Sequence, residues 1–214
     1  MTPRQALPTP SALTKGGAKP ELTDVPGRTV ISLQGAGSPA DPGFAASVGA
    51  LYGVAYGLRF SRKAAGRPVF KVGPLEGEWR AAGGSLREGR PPAPDQWGWT
   101  LRIGVPEDVT EEEVAAVVEA VTTKRKGRLE GSPHARRIEL TRVDGARFAR
   151  VLHVGPYATE PASFEKIEGL LADEGLRREP WHIEVYLSDP GRTAPEKLKT
   201  VLLAKVRSGA ALNR

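Results

Sequence analysis

The sequence has no cysteine and only three histidines among its 214 residues. The first absence excludes disulfides, thiolate metal sites and a cysteine nucleophile. The second leaves too few imidazoles for a multi-histidine centre, so no metal is expected. No run approaches the roughly 18 to 20 uncharged apolar residues that a membrane helix needs. The N-terminal MTPRQALPTPSALTKGG lacks the apolar core of a secretory signal. Also missing are a nucleophilic-serine elbow, a P-loop and a dinucleotide fingerprint. The GAG near residue 36 lacks both the later glycine and the acidic position of GxGxxG. The expectation is a soluble, cytoplasmic protein with no metal, cofactor or membrane partner.

What is present is ordinary in bulk. Charged residues make up 26% and hydrophobic ones 39%, values that suit a folded globular chain rather than a disordered one. Lys and Arg number 31 against 25 Asp and Glu, a formal charge of +6. The densest basic run, KRKGRLEGSPHARR at 124–137, is interrupted by Gly, Ser and Pro and contains no aromatic residue. A nucleic-acid surface wants its charge on a recognition helix or beside stacking rings. The run therefore reads as a solvated loop, and no direct nucleic-acid binding is expected.

Along the chain, residues 1–27 are rich in Pro, Thr, Ala and Gly and read as a flexible arm, with a docked stretch near Leu22–Val25. A strand is predicted at 29–33, then a Gly/Pro turn and a helix over 44–60 with Phe44, Val48, Leu51, Tyr52, Ala55 and Tyr56 at helical spacing. Strand pieces follow at 69–72 and 77–79, an irregular loop at 80–94, and a strand at 97–105. Thr110 and Glu113 form a capping box for a helix to about Lys124. Strands at 138–143 and 147–154 read as a hairpin closed at Asp144-Gly145. A helix over 164–175, a strand at 181–187, a short helical turn from Pro195 and a strand at 200–206 complete the chain.

The two halves repeat one element order, strand, Gly/Pro turn, helix, strand, strand. Two βαββ units side by side give an α+β fold, one antiparallel sheet with two helices on one face. A ligand groove along the pseudo-twofold axis follows from that duplication. The expected domain spans 28–207, as repeat one over about 28–105, a connecting helix and strand over 106–143, and repeat two over about 146–207. A tail occupies 208–214.

Several residues on these elements can carry chemistry. In WHIEVYL, alternation puts His182, Glu184 and Tyr186 on one face and Trp181, Ile183, Val185 and Leu187 on the other. Alternation alone leaves open which face meets the groove. Trp97 and Trp99, two residues apart, offer flat apolar surface suited either to planar ligands or to a core. Tyr157 follows a Gly-Pro turn able to fix a phenol. Glu76 and Glu78 lie close together before Trp79. Tyr52 and Tyr56 share a helix face, by default a core one, and Tyr56 is kept as a candidate ligand contact.

Taken together, PLEGEW at 74–79, WGW at 97–99, HVGPY at 153–157 and HIEVYLSDPGRTAPEKLKT at 182–200 resemble the GyrI-like small-molecule-binding family. ALYGVAYGLRF at 50–60 fits the same group, and the resemblance covers about residues 20–206. It implies duplicated βαββ units like the effector-binding domains of multidrug-responsive activators, here as a stand-alone version without their helix-turn-helix and coiled coil. It also implies that Glu184 lies in the groove facing cationic, aromatic ligands, hydrogen-bonded to Tyr157 or to groove water.

The stand-alone branch of that family is similar to cyclopropanoid cyclopropyl hydrolases, which open the cyclopropane of DNA-alkylating spirocyclic dienone antibiotics. That similarity implies an aromatic cage, for which Trp79, Trp97, Trp99 and Tyr157 are the candidates. It also implies catalytic roles for Glu184 and Tyr157, with Glu76, Tyr56, His182 and Tyr186 as further ligand contacts. Polar Glu78 and Arg80 beside Trp79, and an 80–94 loop able to cover the groove as a lid, depart from the pattern. A non-catalytic sequestering protein for planar or cationic molecules, or a topoisomerase inhibitor, are the alternative activities.

Overall fold

A computed structural model describes residues 8–81, 97–123 and 133–208. Most of the 80–94 loop proposed as a lid, residues 124–132 of the basic run and the tail beyond 208 lie outside the described residues. The elements are α1 (Ser11–Thr14), β1 (Glu21–Val25), β2 (Arg28–Ala36), α2 (Pro42–Ala64), β3 (Leu75–Ala81), β4 (Trp97–Gly104), α3 (Glu111–Thr123), β5 (Glu139–Val143), β6 (Ala146–Val154), α4 (Glu160–Asp173), β7 (Leu176–Tyr186) and β8 (Lys199–Ser208).

The strands form one antiparallel sheet in the order β1-β6-β8-β7-β3-β4-β2-β5. The duplication is visible in that order. Repeat one, β2-α2-β3-β4, and repeat two, β6-α4-β7-β8, meet at β3 and β7, where Gly77 pairs with Glu184. Helices α2 and α4 cover one face. Beneath α2 lie Ile31, Leu33, Leu101 and Ile103, and α3 packs against its outer side. Beneath α4 lie Ala149, Val151, Leu202 and Ala204. The expected capping box starts α3: the Glu113 amide donates to Thr110 Oγ1 at 3.3 Å and the Thr110 amide to Glu113 Oε2 at 3.1 Å.

Three expectations are corrected. Strands β5 and β6 do not pair as a hairpin across Asp144-Gly145; β5 pairs with β2, and β6 with β1. Glu21 lies opposite Arg150 and Ser32 opposite Glu139 with one unbroken offset, so residues 21–32 and 139–150 form a single long ladder. Strand β6 already pairs with β8 and β2 with β4, so a hairpin would leave β1 and the second edge of β2 without partners, whereas this arrangement pairs both. The local turn preference is overridden by the longer ladder. Residues 8–25 are also no free arm, because α1 packs on the face opposite the helices and β1 is an edge strand of the sheet, paired with β6. There Leu13 and Val25 join Phe148, Ile183, Val185 and Leu203 in a buried cluster. Residues 69–72 form no strand beyond an isolated bridge at Phe70, which is instead buried in the α2 core.

Candidate functional site

The groove lies where the two repeats meet. It opens on the helix-covered face as a cavity of about 1920 Å³, larger than the roughly 300–1,000 Å³ of ordinary small-ligand sites. Its floor is β7, whose alternation turns His182, Glu184 and Tyr186 into the cavity while Ile183 and Val185 fill the cluster behind. Glu184 is anchored at both oxygens. His182 Nε2 lies 2.9 Å from Oε1, and the Tyr186 hydroxyl donates to Oε2 at 2.7 Å. The Tyr186 oxygen in turn accepts the Trp79 indole N–H at 3.0 Å. A hydrogen-bond chain therefore runs from repeat one into the carboxylate of repeat two. Gly77 makes room for it, since a Cβ there would stand 2.9 Å from Trp79 Nε1 and 3.2 Å from the Tyr186 oxygen.

Aromatic rings form the walls. Phe44 of α2 stacks on Trp79 at 5.6 Å, and Trp79 meets Trp97 edge-on at 6.1 Å. Trp97 meets His182 at 6.2 Å, and His182 meets Phe164 of α4 at 4.8 Å. The wall thus crosses from one repeat to the other. Tyr52 and Tyr56 extend it along α2, their rings 6.4 Å apart.

The remaining rim comes from the turn between β6 and α4. Gly155, at φ 139°, bends the chain there. His153, buried beneath, holds the bend through Ser163 Oγ at 3.0 Å and the Pro156 carbonyl at 3.2 Å. Tyr157 is thereby set edge-on to Tyr186 at 5.9 Å, and Glu160 opens α4. Burial first, and then the Glu184 and Glu160 carboxylates, push the Tyr157 phenol above its usual range, so it keeps its proton. Burial and the charge of Glu184 push the Glu160 carboxyl up to about 9. The α4 N-terminus favours the charged form but is outweighed. Among the described residues, no group of three or more His, Cys, Asp or Glu is placed to hold a metal, and no helix is long and apolar enough to cross a membrane.

A family model for the GyrI-like small-molecule-binding domain matches residues 103–207. An uncharacterized conserved protein from Listeria innocua is 31% identical, with 90% of this chain and 94% of that chain covered at a TM-score of 0.77. The chain belongs to the GyrI-like family. A hydrolase from Listeria innocua is 30% identical over 90% of this chain and 93% of that one, with a TM-score of 0.76. The EcmrR C-terminal domain, at 11% identity and a TM-score of 0.53, shares the fold. No curated protein sequence matches.

Against this GyrI-like frame, the candidates from the sequence divide. Glu184, His182, Tyr186, Trp79, Trp97, Tyr157 and Tyr56 all line the cavity. Tyr56, whose helix face reads by default as core, is 46% exposed on the cavity wall. Trp99 does not line it, because it packs edge-on behind Phe44 at 5.3 Å and is buried. Glu76 is a correction. It points to the opposite face of β3, fully buried against Arg28 as an ion pair. Glu78 likewise stays out of the groove, bound to Arg80 at 2.8 Å and Arg102 at 2.7 Å on that far face. The partners of Glu184 are His182 and Tyr186 rather than Tyr157. Sequence reasoning missed Phe44, Phe164 and Glu160 as cavity residues. Only the position of Glu160, three residues after the Gly-Pro-Tyr turn, hinted at its place.

Proposed function

We propose that this GyrI-like protein binds planar, hydrophobic xenobiotics between its aromatic walls and hydrolyses the cyclopropane of spirocyclic dienone alkylators, in a cytoplasmic detoxification role. The observation that carries the reading is a carboxylate, Glu184, fixed by two donors on the floor of an aromatic-walled cavity. The hydrolase from Listeria innocua at 30% identity supports it.

Such a substrate stores its driving force in the strained ring, so the protein has little covalent work to do. The rings of Trp79, Trp97, Phe44 and Phe164 hold the flat dienone and displace bulk water from it. Water attacks the strained CH₂, the carbon–carbon bond breaks, and its electron pair passes into the ring to make a phenol. Glu184 orients the water and accepts its proton. Tyr157, which keeps its own proton, hydrogen-bonds the carbonyl as negative charge develops there.

The test is single-turnover ring opening of a spirocyclopropane dienone, followed by mass spectrometry. Wild-type protein is expected to form product faster than buffer. Glu184→Gln is expected to lose on the order of 10²-fold or more, and Tyr157→Phe somewhat less. Full activity in both variants removes the assignment. Tryptophan quenching by the ligand without product makes the protein a sequestering one.

A further inference from the structure

Glu160 has no role in the reaction as written above, yet its position is unusual for a carboxyl group. It lies in the cavity wall at the start of α4, 7% exposed. Its Oε1 is buried with no hydrogen-bond partner, and no ion pair reaches the residue among the described residues. A buried carboxyl group left without donors is costly in its ionised form. Glu184, in the same cavity, has the opposite environment, with a donor on each oxygen. The two carboxyl groups of the cavity thus have unlike surroundings, Glu184 supplied with donors and Glu160 buried without them.

Building on the hydrolase reading, we propose that Glu160 is the proton donor of the reaction and Glu184 the base, the two carboxyl groups holding one proton between them. Water loses its proton to Glu184 as its oxygen bonds to the strained CH₂. The carbon–carbon bond breaks, and its electron pair moves into the dienone. The carbonyl oxygen, now phenolic, takes the proton of Glu160. Glu184 then returns a proton to Glu160 through the cavity, so the protein ends as it began and the sum is substrate plus water.

The acidity of Glu160 suits this role. A donor pushed up to about 9 is close to a phenol, with its ordinary value of about 10, so transfer to the nascent phenolate is nearly balanced. Tyr157, held above its usual range, keeps its proton and supplies a hydrogen bond only. The titratable groups that interact with Glu160 are Glu184 and Tyr186 on β7 and Tyr157 on the turn. Burial raises Glu160 most, and of the neighbouring charges it is that of Glu184 that raises it further.

The experiment compares wild type with Glu160→Gln, which keeps the shape and removes the proton. Single-turnover ring opening is measured from about pH 6 to about pH 10. The wild-type rate is expected to fall as pH passes about 9, where Glu160 ionises. The variant is expected to be slower by roughly 10²-fold at neutral pH and to lack that alkaline fall. Retained ligand quenching of tryptophan fluorescence shows that the variant's cavity is intact. Infrared difference spectra at neutral pH are expected to show a protonated-carboxyl band in wild type that the variant loses. Glu160→Gln with the wild-type rate and the same alkaline fall overturns the proposal and leaves the hydrolase reading standing. Absence of turnover in wild type overturns both.

Discussion

At the scale of single residues, the cavity sorts its carboxyl groups by what surrounds them. Glu184 sits between an imidazole and a phenol, whereas Glu160 has only burial and a neighbouring negative charge. The consequence for folding has a definite sign. In the unfolded chain Glu160 titrates near its ordinary 4.5, and in the fold it does so at about 9. The folded state therefore holds this proton more tightly. Its contribution to stability is complete below about 4.5 and is lost as pH rises to about 9. Urea midpoints measured across that window should fall for wild type. The fall should be smaller for Glu160→Gln, which has no proton to lose. An equal slope in both proteins would mean that Glu160 is charged in the fold. On the sheet's other face, Arg28 and Glu76 show that a carboxylate in a promising motif can serve structure alone, paired with each other and closed off from the cavity.

At the scale of elements, β7 and β3 matter most because they join the repeats. Alternation on β7 was readable, and it places three polar residues on one face. Which face meets the cavity depends on the partner strand, and Gly77 on β3 supplies the space. Gly77→Ala puts a methyl group against the Trp79–Tyr186 contact. It is expected to cost about 1–3 kcal/mol by chemical denaturation and to weaken ligand quenching of tryptophan. Unchanged stability and unchanged quenching would show that the indole–phenol–carboxylate chain is not what shapes the floor. The α3 capping box was legible because it depends on residues only three apart. The Asp144-Gly145 turn misled because a local preference for a hairpin competes with a ladder whose other strand lies over a hundred residues away.

At the scale of the whole molecule, the long ladder of 21–32 with 139–150 ties the two repeats together. The N-terminal segment then closes the face behind the groove. Leu13, fully buried, packs there with Ile183 and Val185, the residues directly behind the cavity floor. Leu13→Ala is expected to cost about 2–5 kcal/mol of stability, read as a lower denaturation midpoint. A change under about 0.5 kcal/mol, the size of an ordinary surface substitution, would mean that the segment does not hold the sheet.

The sequence by itself determined the element order, the βαββ duplication and the helix and strand periodicities, because each depends on neighbours within a turn or a strand. It also carried the family motifs that mark β7 and the Gly-Pro-Tyr turn. Only the tertiary structure decided which strands pair, that Glu76 faces Arg28 while Glu184 faces the cavity, and that Phe44, Phe164 and Glu160 join the site. Those outcomes depend on burial and on charges brought together from distant positions. A carboxyl group's environment is set by its spatial neighbours, and the spacing of residues along the chain does not encode them.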